Sequence, residues 1–471
     1  MLSLRPYQSD AVEGVRNYYL QGFRAPLVVL PTGGGKTVIF SHIAHLTVSR
    51  GKRVLILVHR IELLRQTKKA LEKSGVHAGI INANYTPDPF AKVQIASVQT
   101  LVKRLHRLRQ EYDLIIIDEA HHANASTWRQ IIDANPQARL MGVTATPCRA
   151  DGVGLGVAAG GYFDCMVMGP QPQELMDMGY LVAPKIYAPP TGLDFSDVDM
   201  VRGDYDKGQI LAKVDKPTIT GDAVHHYRKY ADGQPCVVFC ISVEHAQHVA
   251  EQFRLAGYRS EHADGSLDDD ERQRRLNGLG NGEVQVLTTC DLISEGTDIP
   301  AIACAILLRP TASLGLFLQQ VGRALRPSPG KDFAIILDHV GNVRMHGRPQ
   351  DYREWTLEGA KKTKRTLKDD AAKVKIEQCP KCFAVHVPTP VCPECGHLYE
   401  VKQSQRELAK RDGELLEVTD DIQKLINKQR RMEIGRAQTL NDLVAIEKLR
   451  GYKPGWAHHV WKAKQKKLLG L

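Results

Sequence analysis

PLVVLPTGGGKTVIFSHIAHL, residues 26–46, is the stretch whose reading decides the fold. A short apolar run rich in β-formers leads into a glycine-rich turn, and a helical segment follows at once. Such a turn aims successive backbone N–H groups at one point, where the dipole of the following helix reinforces them, so it binds anions. Within PTGGGKT (31–37), Thr32, Gly33, Gly34 and Gly35 form the cradle, Lys36 reaches the β- and γ-phosphates of a nucleotide, and Thr37 holds Mg2+. The general pattern places a glycine six residues before the lysine; here that position is Leu30.

The same rhythm extends outward. Short apolar runs (PLVVLP, RVLILVH, VQIAS, DLIIIDE, RLMGVTAT) alternate with amphipathic stretches such as IELLRQTKKALEKSG, which ends at Gly75 as a helix cap would. Parallel strands joined by helices give this alternation. It predicts an α/β domain over residues 1–165. Residues 166–232 carry several prolines and polar stretches and read as a connecting segment with some helix. A second α/β rhythm (CVVFCI, VQVLTT, ACAILL, FAIILD) predicts another domain over 233–350. Two such domains in tandem leave a cleft, a common ligand site.

LIIIDEAHH (114–122) ends an apolar strand on two acids, where a doubly wound sheet places its ligands. Asp118 is expected to hold Mg2+ and Glu119 to orient or deprotonate an attacking water. QQVGRALRP (319–327) sets Arg323 and Arg326 three apart, on one face of a helix, after Gln319. Two guanidiniums side by side call for an anion, and the phosphates held by Lys36 supply one.

PTGGGKT, DEAH, TAT (144–146) and QQVGRALR stand in an order and spacing that resemble the superfamily 2 helicases and translocases. The likeness is to the branch holding XPB-like helicases, type I and III restriction motors and RadD-like bacterial and phage helicases. It covers residues 2 to about 345. It implies two tandem RecA-like domains with ATP and Mg2+ between them. On the matching motifs it implies adenine recognition by Arg5 and Gln8 in LRPYQ, and coupling by His121, Thr144 and Thr146. Gln319, Arg323 and Arg326 act in catalysis, and Gly296 and Asp298 of EGTDIP at the nucleotide. Nucleic-acid contacts fall on His59 and Arg60 of LVHRIELLRQ, Gln99 and Thr100 of SVQTL, and Thr288. The implied activity is a nucleic-acid-stimulated ATPase that moves on single-stranded or branched DNA in repair, recombination or phage replication, with single-strand-binding or repair proteins as possible partners. A restriction-type motor subunit is the nearest alternative. A nucleic-acid-binding scaffold with a vestigial ATPase is the alternative of another class, disfavoured by the intact Lys36, Asp118, Glu119, Arg323 and Arg326.

The rest of the chain is different in character. Residues 1–360 hold 39 Lys+Arg against 39 Asp+Glu, whereas 361–471 hold 24 against 14, so the whole net charge of +10 sits in the last quarter. CPKC (379–382) and CPEC (392–395), with nine residues between them, set four thiolates at the spacing of a structural zinc site, Cys379, Cys382, Cys392 and Cys395, within an element spanning 375–400. The other six cysteines are scattered, as in reduced cytosolic proteins. Residues 401–471 read as a basic helical tail closing on GYKPGWAHHVWKAKQKK, where Tyr452, Trp456 and Trp461 either stack on bases or pack a small core. With 43% hydrophobic and 25% charged residues the composition is that of soluble globular domains. The N-terminus lacks a signal-peptide pattern and the apolar run 301–308 is too short to span a bilayer, so the expectation is cytoplasmic with no membrane partner.

Overall fold

The computed structural model describes residues 3–107, 111–149, 151–188, 198–201, 203–214, 217–290, 302–359, 377–379, 381, 384–386, 389–399, 439–450, 457–458 and 460–461. Two parallel sheets dominate residues 1–400. The first contains β1 (Pro26–Val29), β2 (Val54–Val58), β3 (Ala78–Ile81), β4 (Val93–Ser97), β5 (Leu114–Asp118), β6 (Arg139–Thr144) and β7 (Cys165–Met168), in the order β3-β4-β2-β5-β6-β1-β7. The helices Pro6–Leu20, Lys36–Ser49, Ile61–Lys73 and Ser126–Asp133 accompany it. Alternate residues of each strand enter opposite apolar layers: Leu114 and Ile116 of β5 pack on one face, Ile115 and Ile117 on the other. Burial on both faces is why these strands read as unbroken apolar runs.

The next strand, β8 (Ala183–Tyr187), pairs with none of these. The short β9 (Met200–Val201) and β10 (Asp204–Tyr205) form a hairpin. Then come β11 (Cys236–Phe239), β12 (Ser260–Ala263), β13 (Val286–Thr289), β14 (Cys304–Leu307) and β15 (Phe333–Asp338), which with β8 make the second sheet, in the order β12-β13-β11-β14-β15-β8. The segment read as a connector is therefore divided between two sheets. Its first part closes the edge of the first as β7, paired with β1, and a later part closes the second as β8, paired in parallel with β15. Pro184 lies within β8, an edge strand that keeps one side free of the ladder and so tolerates a residue without an N–H.

The cysteine-containing element docks on that edge. Its small antiparallel pair, β16 (Glu377–Gln378) and β17 (Val385–His386), precedes the second knuckle. Ala384 bridges Tyr187 of β8, and Lys185 pairs with Glu394 at 3.1 Å.

Residues 401–471 form a separate unit, described by itself. The helix Leu440–Arg450 opens with reciprocal bonds between Thr439 and Asp442, a capping-box arrangement. Leu443 and Ala457 are buried together with Trp461 packed against them, and the Glu447 carboxylate accepts the Ala457 N–H at 2.7 Å. Trp461 is half-buried against this pair; Tyr452 and Trp456 lie outside the described residues. Among the described residues no helix is long and apolar enough to cross a membrane.

Candidate active site

In the first sheet β5, β6 and β1 are neighbours, so the loops leaving their carboxyl ends converge. Those loops carry Asp118 and Glu119, Thr144 to Thr146, and the glycine-rich turn. The turn itself has Gly33 at φ 88° and Gly35 at φ 85°, left-handed conformations open to glycine. The helix begins at Lys36, so its first N–H groups face the turn. Two side chains from the N-terminal helix brace this turn. Tyr7 Oη donates to the Gly34 carbonyl at 2.9 Å, and Gln8 Oε1 accepts the Arg5 N–H at 3.0 Å while its amide nitrogen reaches toward Gly34.

Opposite stands the helix Leu314–Ala324 of the second domain, with buried Gln319 and Arg323 and half-buried Arg326 just beyond it. The stem of Arg326 lies against Gly33. Lys331 holds the end of this arginine-bearing segment: its Nζ donates to the carbonyls of Ile302 and Arg326, each at 2.6 Å, and to that of Ala324. Burial, and then Arg326, push the Lys331 ammonium down to about 8.

Between the two domains is a cavity of about 330 Å3 lined by the glycine-rich turn, Lys36, Thr37, Asp118, Glu119, Gln319, Arg323 and Arg326, and also by Arg5 and Tyr180. Burial pushes the Lys36 ammonium below its ordinary value; Glu119 and Asp118 oppose that shift, while Arg323 and Arg326 add to it. Burial and the adjacent Glu119 carboxylate push Asp118 upward, against Lys36. Cations from two domains thus crowd two carboxylates, an arrangement suited to a polyanion bound with a divalent cation. Glu119 is the only non-glycine residue with positive φ among those described, at 49°. Among the described residues its buried Oε2 accepts no hydrogen bond, and it lies 3.4 Å from His121 Nδ1. A strained, buried carboxylate with spare acceptor capacity fits a residue that must engage a water.

His121 Nδ1 is also 3.4 Å from Thr144 Oγ1, and Thr144 Oγ1 donates to the Thr146 carbonyl at 2.9 Å. Thr146 in turn touches the second domain at Gly315. The residues expected to couple the domains therefore form a continuous path from Glu119 to the arginine helix. His59 and Gln99 meet at the carboxyl ends of β2 and β4, where Gln99 Nε2 donates to the His59 carbonyl at 3.1 Å; Arg60 and Thr100 flank them, half-exposed. Thr288 is a correction. It is fully buried within β13, and its hydroxyl donates to the Ala246 carbonyl at 2.6 Å, because its side chain points into the helix layer and cannot reach a strand. Gly296 and Asp298 lie outside the described residues. Sequence reasoning missed Tyr7 and Tyr180, whose roles depend on contacts that no spacing encodes.

Cys379, Cys392 and Cys395 bring their sulfurs within 4.8 Å of one another, with Cys379 and Cys395 3.6 Å apart. Four thiolates at about 2.3 Å around one Zn2+ require a sulfur separation close to this. Cys382 lies outside the described residues. His386 Nε2 is 2.7 Å from Tyr399 Oη.

Comparison with known proteins agrees with this geometry. Residues 1–149 match the family described as type III restriction enzyme, res subunit, and residues 218–328 match the helicase conserved C-terminal domain. A 51.5 kDa protein of a Lactococcus phage is 35% identical over 387 residues, covering 81% of this chain and 80% of the phage protein. The chain belongs to the superfamily 2 helicases. It is accordingly an ATP-dependent enzyme of that superfamily, using ATP and, as its members usually do, Mg2+. The putative ATP-dependent helicase IRC3 of Saccharomyces cerevisiae is 32% identical over 358 residues, 72% of this helicase, which spans about half (51%) of the yeast protein. A putative HsdR subunit fragment from Vibrio vulnificus shares the fold, with a TM-score of 0.58 at 22% identity over 74% of this chain and 67% of that one. Residues 359–406 match the ribosomal L32p protein family.

Proposed function

We propose that this helicase couples ATP hydrolysis to movement along DNA, acting on single-stranded or branched substrates in repair, recombination or phage replication. The observation that carries the reading is the cavity whose one wall holds Lys36, Asp118 and Glu119 and whose other wall holds Arg323 and Arg326. The N–H groups of the glycine-rich turn and Lys36 hold the phosphates, and Thr37 and Asp118 hold Mg2+. The metal supplies charge neutralisation on the phosphate oxygens. Glu119 takes the proton of the attacking water or orients it, and Arg323 and Arg326 neutralise the charge that develops at the far side, a role worth roughly 10³–10⁵ in rate for an arginine finger. Because those arginines sit on the second domain, loss of the bound phosphate removes the bridge between domains. The path through His121, Thr144, Thr146 and Gly315 carries that change to His59, Arg60, Gln99 and Thr100, which hold a strand through its backbone and bases with little sequence readout. A DNA-directed translocase, the XPB2 protein of Sulfurisphaera tokodaii, is 24% identical over 69% of this chain, in support of DNA as the track. The cysteine knuckles hold one structural Zn2+ and fix the element that docks on β8.

The test is ATP turnover with no nucleic acid, single-stranded DNA, duplex, forked DNA and RNA. Turnover stimulated several-fold by DNA, and lost in Lys36→Ala, is the expected result. Turnover indifferent to every nucleic acid, or absent, overturns the reading.

A further inference from the structure

Tyr180, Leu181 and Val182 are consecutive, and each touches a different part of the nucleotide machinery. The Arg5 guanidinium lies over the Tyr180 ring, 4.0 Å from its centroid, and is steadied by a bond from Nη1 to Tyr7 Oη at 3.1 Å. The Tyr7 and Tyr180 rings are 5.5 Å apart. Leu181, buried, packs on the glycine-rich turn so tightly that a Cβ on Gly33 would fall 2.8 Å from its Cδ2. The Val182 N–H donates at 2.9 Å to the carbonyl of Leu325, which lies between Arg323 and Arg326. The next residue opens β8, hydrogen-bonded into the second sheet.

A guanidinium stacked on an aromatic ring has one planar face left, and that face is a platform for a purine. Arg5 and Tyr180 line the same cavity as Lys36, Thr37, Arg323 and Arg326. We propose that Tyr180 is a positioning residue that orients Arg5 to stack on adenine, and that the Tyr180–Val182 tripeptide ties the presence of that base to the placement of Arg323 and Arg326. The base is then read twice, once in binding and once in setting the arginines, and both enter kcat/KM. This inference rests on the nucleotide reading of the cavity.

The test compares kcat/KM for ATP and UTP at saturating single-stranded DNA in the full chain. Tyr180→Leu keeps apolar bulk and removes the π face, and Tyr180→Phe keeps the ring. Because base stacking on a protein platform contributes to nucleotide binding, the preference for ATP over UTP is expected to fall about tenfold in Tyr180→Leu and to stay within twofold of wild type in Tyr180→Phe. A role limited to packing would lower both nucleotides alike and leave their ratio unchanged, which overturns the proposal. So does a wild-type ratio in Tyr180→Leu. If the wild-type enzyme turns over neither nucleotide, the nucleotide reading of the cavity fails, and this inference falls with it.

Discussion

Gly322 sits in the last turn of the arginine helix, directly against the glycine-rich turn of the other domain. A Cβ there would lie 2.6 Å from Thr32 Cβ and 2.9 Å from Thr32 Cγ2, whereas ordinary contact begins near 3.4 Å. The helix or the turn must therefore give by at least about 0.4 Å to reach the tightest tolerated contact, and by about 0.8 Å to reach an ordinary one. Thr32 cannot yield by changing rotamer, since its Cβ is fixed to a backbone that turns left-handed at the next residue. Seven residues earlier on the same helical face, Gly315 meets Thr146, where a Cβ would come to 3.0 Å. Both glycines thus let the helix dock on the first domain at close range. Gly322→Ala has two opposed consequences. Within its own domain it replaces a poor helix former with the best, a gain of at most about 0.8–1 kcal/mol so near the helix end. Across the cleft it displaces Arg323, the next residue, from the phosphates. A misplacement of about 1 Å costs on the order of 10²-fold in rate, some 2.7 kcal/mol in the barrier. The expected outcome is a thermal midpoint equal to or above wild type with DNA-stimulated kcat about 100-fold lower. Steady-state ATP turnover and a thermal melt on the same preparation measure both. A variant that keeps kcat within threefold would refute the reasoning, because the helix would not then need this close docking during turnover.

Two further outcomes are expected from other parts of the structure. Glu62 of the first domain pairs with Arg272 of the second at 3.0 Å, both side chains only 9% exposed, beside the Arg65–Asp269 pair. Glu62→Gln leaves Asp269 as the carboxylate partner of Arg272 among the described residues, so the cost falls toward the lower end of the roughly 3–5 kcal/mol seen when a buried pair loses one partner; the domains should separate more readily, seen as a larger radius of gyration by X-ray scattering and a raised KM for ATP, and unchanged values would show that the pair does not hold the cleft. For the cysteine element, one zinc per chain is expected by elemental analysis of reduced protein, lost in Cys379→Ser combined with Cys392→Ser; a metal-free wild type would exclude the site.

How far the sequence could be read depended on whether a feature was local. The strands of the first sheet are buried on both faces and so declare themselves as apolar runs. The glycine-rich turn and the DEAH acids each lie within a few residues of a strand end, and the arginine pair stands three apart at the end of one helix, so short spacings mark all three. The edge strands β7 and β8 were illegible for the opposite reason. An edge strand is half-paired, tolerates Pro184, and gains its place only from a partner far along the chain, here Pro26–Val29 or Phe333–Asp338. Thr288 shows the same limit in reverse: its motif position suggested a strand contact, but the pleat turns its hydroxyl inward to Ala246.

The residues that decide whether the cleft works are mostly of this non-local kind. Arg323 and Arg326 can be named from nine residues of sequence, yet their usefulness depends on where they are held. That position is set by the Lys331 ammonium at the end of the segment, by two glycines on the docked face, and by the Val182 N–H on Leu325. Each acts on the backbone of the arginine segment. A change at either glycine or at Val182 should therefore spare the charge of the site while altering its geometry, and appear as lost turnover in a protein that still folds. Loss of Lys36 or Glu119 acts the other way, removing the chemistry and leaving the geometry. Comparing the two classes of variant separates the contribution of alignment from that of the catalytic groups.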